Sequence, residues 1–278
     1  MTAPTNQEFV SGTTITSQWL NGVNDAINNS TQDIPGSSPR PLPDKLSDII
    51  SIKDFEAVGD GVTNDTAAIQ AALNSSATAV YFPKGTYLIR NPAGSSSNSP
   101  ALTSAVANRV LYGPGVITTD EQIKIALEVS GDNSKVHLNV GGNLNIGYAI
   151  QCTGNKPEVS DCYIRNLDGK DNWGGIGIRL NFGTNDYSGV VRDNRIENLQ
   201  GVGDVTIGNG TGMQRAILVQ ASVNCTDTTL VTGNIIKGVW GEEGDAIAIQ
   251  GGDTTNPKKI PCTIEGIVTG KQIGRAHV

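Results

Sequence analysis

Histidine is nearly absent from this chain, with His137 and His277 the only two in 278 residues. The sequence has neither a nucleophile elbow nor a metal-ligand spacing, so general acid and base work would fall to carboxylates. Cysteine is sparse too. Cys152, Cys162, Cys225 and Cys262 form no Cys-x-x-Cys pair and stand next to strand-like segments. They read as small core or turn residues, not as a disulfide framework, metal site or redox pair. No apolar run approaches the roughly 18 to 20 residues a membrane span needs, and the N-terminus lacks the basic and apolar regions of a secretory signal. The expectation is a soluble chain, not exported by that route and with no membrane partner. Basic residues are also in the minority: 20 Lys and Arg against 27 Asp and Glu give a formal net charge of −7. Nucleic-acid binders concentrate Lys and Arg on one face, so nucleic acid is not expected as a partner.

What the chain has in quantity is glycine, 34 residues, with no Gly-X-Y period and mostly at the ends of short apolar runs. Many turns between short strands follow from that, and with them an all-β fold. With 37% hydrophobic residues, the chain can bury a large core as one elongated domain or two compact ones.

A repeat organises these strands. "VSDCYIRNLDG" begins at Val159, "VRDNRIENLQG" at Val191 and "VTGNIIKGVWG" at Val231. The copies share an apolar start, a turn-type residue three positions on (Cys162, Asn194, Asn234) and an apolar residue at five (Ile164, Ile196, Ile236). They also share an apolar residue at eight (Leu167, Leu199, Val239) and a glycine at ten (Gly169, Gly201, Gly241). "IEG" at 264–266 reads as the start of a fourth copy. A second apolar strand follows each: "GIGIRL" at 175, "AILVQA" at 216 and "AIAIQG" at 246, with "AIQCTG" at 149 as an earlier relative. Periods of roughly 30 to 40 residues built from short strands and turn asparagines predict a solenoid, specifically a right-handed parallel β-helix. A β-sandwich would instead show hairpin turns and no register between successive copies.

One helix interrupts this pattern. In "DFEAVGDGVTNDTAAIQAAL", residues 54 to 73, Ala68, Ile69, Ala72 and Leu73 recur at helical spacing, and Thr63 and Asn64 are natural N-cap residues. The spacing predicts a helix over 65–73, preceded by a strand at "IKDF" and a Gly-Asp-Gly turn. Solenoid ends expose their core and a row of unpaired amides, so a helix placed just before the repeats reads as an end cap. Asp54, Asp60 and Asp65 lack the ligand series of a calcium loop. Further upstream, Ile15, Trp19, Val23 and Ile27 fall four apart on one helical face, and "TQDIPGSSPRPLPDK" reads as a linker. A boundary is therefore expected near residue 45, with the solenoid over 46–271.

"IKDFEAVGDGVTNDTAAIQAAL" followed by "VYFPKGTYLI" closely resembles the start of the pectate-lyase-like superfamily of β-helix proteins. That superfamily includes rhamnogalacturonase-like enzymes and many bacteriophage tailspikes, and the resemblance covers about residues 50 to 90. It implies that the opening segment makes the first coil and that its helix plugs the end. "GTTITSQWLNGVNDAI" is similar to the virion-anchoring segments of phage tailspikes and tail fibres. Together the two imply a virion protein that folds in the host cytoplasm and acts as a homotrimer. Its partners would be phage tail proteins and a bacterial surface polysaccharide, which it depolymerises as a hydrolase or lyase without a cofactor. A non-catalytic adhesive spike and a cellular pectin-degrading enzyme are the alternatives.

For the chemistry, the best local stretch is "VWGEEGDAIAIQGG", residues 239 to 252. Its "EEGDAIAI" resembles the "DDxIAI" segment of polygalacturonases, with Asp245 as the second aspartate, but Gly244 stands where the first belongs. Glu242 or Glu243 would have to substitute. Trp240 in the same stretch and Trp173 in "DNWGGIGI" offer aromatic faces to sugar rings. The candidate catalytic residues are thus Asp245, Glu243 and Glu242, with Trp240 and Trp173 for substrate. A lyase would instead want a basic residue such as Arg179 near the groove. The terminal "IGRAHV" matches what one frame of a common sequencing-library adapter encodes. Residues 272–278 are accordingly expected to be an artefact, and the natural protein to continue.

Overall fold

A computed structural model of the chain describes residues 46–94, 99–144, 146–169, 175–182, 188–201, 213–221, 228–240, 243–251 and 262–265, together with Asn21, Val23 and Asp44. The chain divides into two compact units, Met1–Ile50 and Ser51–Val278. In the first, Asn21 and Val23 are helical. The remainder of the Ile15–Ile27 stripe lies outside the described residues, as do residues 272–278.

Strand β1 (Ile49–Ser51) leads into a single 3-10 turn at Ile52–Phe55. The "IKDF" segment is therefore not a strand. The Ser51 hydroxyl accepts the Lys53 N–H at 3.2 Å and the Asp54 carboxylate accepts the Ser51 N–H at 2.8 Å, so a capping box holds the turn. β2 (Asp60–Asn64) follows, and α1 runs over Thr66–Asn74. Asp60 accepts the N–H groups of Val62 and Thr63 and the Thr63 hydroxyl, bonds that hold its carboxyl below the ordinary range.

Asp65, at the N-cap position, does not cap with its side chain. Its buried carboxylate instead accepts the N–H groups of Val58 at 2.7 Å and Gly59 at 3.0 Å. Capping falls to Asn64, whose Oδ1 accepts the Thr66 N–H at 3.1 Å and the Thr66 hydroxyl at 2.7 Å. Ile69, Ala72 and Leu73 are buried. At the helix's other end, the fully buried Arg109 donates to the carbonyls of Leu73, Ser75 and Ala77. Leu73 and Ser75 present carbonyls at the negative pole of the helix dipole, with Ala77 just beyond it, and a cation there serves both needs.

The coils then stack. The first comprises β3 (Ala79–Tyr81), β4 (Thr86–Leu88) and β5 (Pro100–Ser104). The second has β6 (Val110–Thr118) and β7 (Ile123–Val129), and the third β8 (Lys135–Leu144) and β9 (Ile146–Cys152). Three-stranded coils follow: β10 (Glu158–Ser160), β11 (Tyr163–Gly169) and β12 (Ile176–Phe182), then β13 (Val190–Arg192), β14 (Arg195–Gly201) and β15 (Met213–Ala221). Next come β16 (Thr229–Thr232), β17 (Ile235–Trp240) and β18 (Glu243–Gly251), and β19 (Cys262–Glu265) opens another turn of the stack.

Every pairing described between these strands is parallel. One six-stranded sheet has the order β18-β15-β12-β9-β7-β5. A larger sheet has two limbs, β3-β6-β8-β10-β13-β16-β19 and β2-β4-β6-β8-β11-β14-β17, joined by the long strands β6 and β8. At the bend of β6, Gly113 has φ +137, and a Cβ there would lie 2.1 Å from the Phe82 carbonyl oxygen. Only glycine allows that approach.

The repeat's register is that of the stack. Val136, Val159, Val191, Val231 and Ile264 pair in sequence, as do Ile164, Ile196 and Ile236, and Leu167, Leu199 and Val239. In the six-stranded sheet Leu102, Leu127, Ile150, Ile178, Ile217 and Ile247 form one continuous row. Each fully buried aliphatic in such rows contributes about 1.5–3 kcal/mol of burial. The chain is a parallel β-helix.

The turn-type residues also stack. Asn194 donates to the Val159 carbonyl and the Asn234 Oδ1, both at 2.9 Å, and its own Oδ1 accepts the Cys162 N–H at 3.0 Å. Asn234 repeats this one coil on, bonding to the Asn194 N–H and the Val191 carbonyl. Cys162 fills the same position one coil earlier: its Sγ lies 3.4 Å from both the Leu138 N–H nitrogen and the Val136 carbonyl oxygen. Burial pushes the Cys162 thiol up to about 12. Cys152 is a fully buried core residue, so both act as the small core and turn residues the sequence predicts.

Candidate functional site

The six-stranded sheet carries a chain of polar side chains at matching register. Glu128 pairs with Gln151 and Gln151 with Arg179, while Asn181 pairs with Gln220 and Gln220 with Gln250. Glu128, Gln151 and Arg179 each lie between two buried residues, in "LEV", "IQC" and "IRL", so strand alternation turns them away from the core. The Gln151 amide donates to Glu128 at 2.6 Å. Arg179 donates to Gln151 at 2.8 Å, to Gln220 at 2.6 Å and to Asn181 at 3.3 Å. Its guanidinium also lies 4.9 Å from the centroid of the Tyr148 ring.

Burial lowers the affinity of the Arg179 guanidinium for its proton, opposed by Tyr148 and Glu128. The Arg179 Nε has no hydrogen-bond partner among the described residues. Glu128 thus reaches Arg179 through Gln151. A guanidinium fixed by three amide oxygens, with amides and a tyrosine beside it, is a set suited to hydroxyl and carboxylate groups.

Asp245 is elsewhere on this sheet. It lies inside β18, which begins at Glu243. Its pairing partner is Arg215, and their side chains approach at 3.5 Å with 5% exposure for Arg215 and 18% for Asp245. Asp245 is thereby a counter-ion of a buried guanidinium. Trp240 ends β17 and Glu243 starts β18. Glu242 and Trp173 lie outside the described residues. Sequence reading singles out Arg179 only as an option for a lyase and misses its partners, although the repeated apolar–polar–apolar triplet marks them.

Fold and sheet define a class, the parallel β-helix, and the likeness to a known family lies in the opening segment. Residues 49–100 match the family described as "Rhamnogalacturonase A/epimerase, pectate lyase-like". Among particular relatives, the tail spike protein of an Escherichia phage is 52% identical over 42 residues, 15% of this chain and 5% of that protein. The mannuronan C5-epimerase AlgE5 of Azotobacter vinelandii is 39% identical over 70 residues, 24% of this chain and 7% of that enzyme. Of solved structures, the A-module of AlgE6 from the same organism aligns with a TM-score of 0.48 at 17% identity, over 78% of this chain and 63% of that one. The chain spans between 5% and 16% of the length of the curated relatives it matches.

Proposed function

We propose that this chain is part of a phage tail spike, carried on the virion, that binds a bacterial surface polysaccharide along the polar chain of its six-stranded sheet and depolymerises it. The observation that carries the reading is a stretch of 42 residues that is 52% identical to a phage tail spike, beside the family match of the opening segment. The Arg179 cluster supports it by offering donors and an aromatic face in one place. Residues 1–45 serve as the virion anchor, the working form is a homotrimer, and folding takes place in the host cytoplasm. In this reading α1 closes the end of the stack, with Gln70 bonding both the N–H and the carbonyl of Thr103 on the outermost strand β5.

For catalysis, Asp245 is the candidate acid–base group, with Glu243 and Glu242 as partner carboxylates and Trp240 and Trp173 as stacking surfaces. The test is incubation of the protein with host polysaccharide. Reducing-end release without a rise in ultraviolet absorbance marks a hydrolase, and a new double-bond absorbance marks a lyase. Asp245→Asn, checked for folding, should lower cleavage roughly a hundredfold or more. Activity within a few-fold of the parent would remove Asp245 from the mechanism, and binding without cleavage in the parent would make the protein an adhesive spike.

A further inference from the structure

A second face of the stack has the opposite charge to the chain as a whole. On the limb β11-β14-β17, Tyr163 pairs with Arg195 and Arg195 with Ile235, while Arg165 pairs with Glu197 and Glu197 with Lys237. Three cations on three successive coils therefore surround one carboxylate. Glu197 is engaged: it accepts from the Tyr163 hydroxyl at 2.9 Å and from Arg195 at 2.9 Å, with Lys237 at 3.9 Å. These partners, Arg195 first, hold its carboxyl below the ordinary range.

The Tyr163 ring is flanked by two guanidiniums, Arg165 at 4.8 Å and Arg195 at 5.3 Å from its centroid. Arg165 meets no carboxylate among the described residues, and its stem lies where a side chain at Gly141 would be, 2.6 Å from a Cβ built there. The aspartates of the preceding turns face elsewhere. Asp193 lies 3.0 Å from Arg192, and Asp161 lies 3.6 Å from His137 and 4.0 Å from Arg192. Arg195 and Lys237 are more than half exposed. Strands β11, β14 and β17 carry three cations, Arg165, Arg195 and Lys237, against two carboxylates, Glu197 and Asp168, so they keep an excess of positive charge in a chain of net charge −7.

We propose that this face is an anion-binding track for an acidic polysaccharide, with Arg165, Arg195 and Lys237 taking carboxylates of successive sugar units. Neighbouring strands of a sheet lie about 4.8 Å apart; Arg165 and Lys237 share one register two coils apart, and Arg195 lies on the coil between them, offset by two residues along its strand. The ordered guanidiniums lose little freedom on binding, because Tyr163 and Glu197 already fix them. The identity of the ligand as a polymer rests on the polysaccharide reading above, while the charge class rests on this face alone. A long chain can occupy this track and the Arg179 face together and gain avidity from both.

The experiment is calorimetric titration of the full chain with an oligogalacturonate and with its methyl-esterified, uncharged counterpart, at low and high salt. The parent should bind the acid form in a salt-sensitive manner. Arg165→Gln/Lys237→Gln, both at exposed positions and with melting temperature checked, should weaken it by roughly tenfold or more. Equal affinity for the two oligomers, or a double variant that binds like the parent, would overturn the track while leaving the polysaccharide reading standing. Absence of binding to either oligomer or to host polysaccharide would overturn both.

Discussion

The opening segment and the later coils are held by different means. From Ser51 to Arg109 the fixing contacts are polar and individual: Asp65 on two backbone amides, Gln70 on the edge strand, Arg109 on three carbonyls at and just past the helix end. From Val136 onward the same few contacts recur, in aliphatic rows and an asparagine ladder. A repeated coil is satisfied by its neighbours, so repetition suffices in the middle of the stack. Where the stack begins there is no neighbour on one side, and single side chains must supply the missing bonds.

This contrast fixes the order of expected effects. Arg109→Met should be the most damaging, because it strands three buried carbonyls at once, at about 1–3 kcal/mol for each group left unsatisfied. Thermal unfolding should shift down by many degrees, and a shift of only a degree or two would mean that water replaces the guanidinium. Ile69→Asp places an unpaired charge at a fully buried site and should cost several kcal/mol. An unchanged melting temperature would show that α1 does not cover the first coil.

Smaller effects are expected where the repeat can compensate. Glu158 is half-buried beside Arg192 at 2.6 Å and Lys135 at 3.1 Å. Burial raises its proton affinity, but these two cations outweigh that and hold it below the ordinary 4.5. A depressed native value means the stabilisation is fully present above 4.5 and is lost as pH falls through the native value. Glu158→Gln should therefore flatten the acid limb of the stability curve below that point, as followed by urea unfolding at several pH values. An unaltered acid limb would show that the pair contributes nothing. The smallest change is expected from Cys162→Asn, which extends the ladder by one member. It should raise stability by about 1 kcal/mol, whereas a clear loss would mean that the thiol site is too tight for an amide.

The same contrast explains what the sequence discloses. The coils are legible because Val159, Val191 and Val231, and Cys162, Asn194 and Asn234, recur at fixed offsets, and register follows from the pattern. Helix α1 is legible from its own spacing, within one residue at each end. Arg109 is not, because it reaches Leu73 across 36 positions and nothing in its neighbourhood marks a helix-end partner. The "IKDF" segment misleads because its apolar ends look strand-like, while the Ser51–Asp54 box that makes it a turn is a side-chain pairing. At the candidate site, Asp245 stands out by a motif likeness, yet its partner Arg215 lies 30 residues away on the adjacent coil. The Arg179 chain needs the register of four strands before its members come together.

The central claim is that polysaccharide lies on the six-stranded sheet around Arg179. Hydrogen exchange of the protein with and without saturating host polysaccharide, read by mass spectrometry, tests it most directly. Binding there should slow exchange in peptides covering β9, β12 and β15. Protection confined to β11, β14 and β17, or no protection at all, would contradict it.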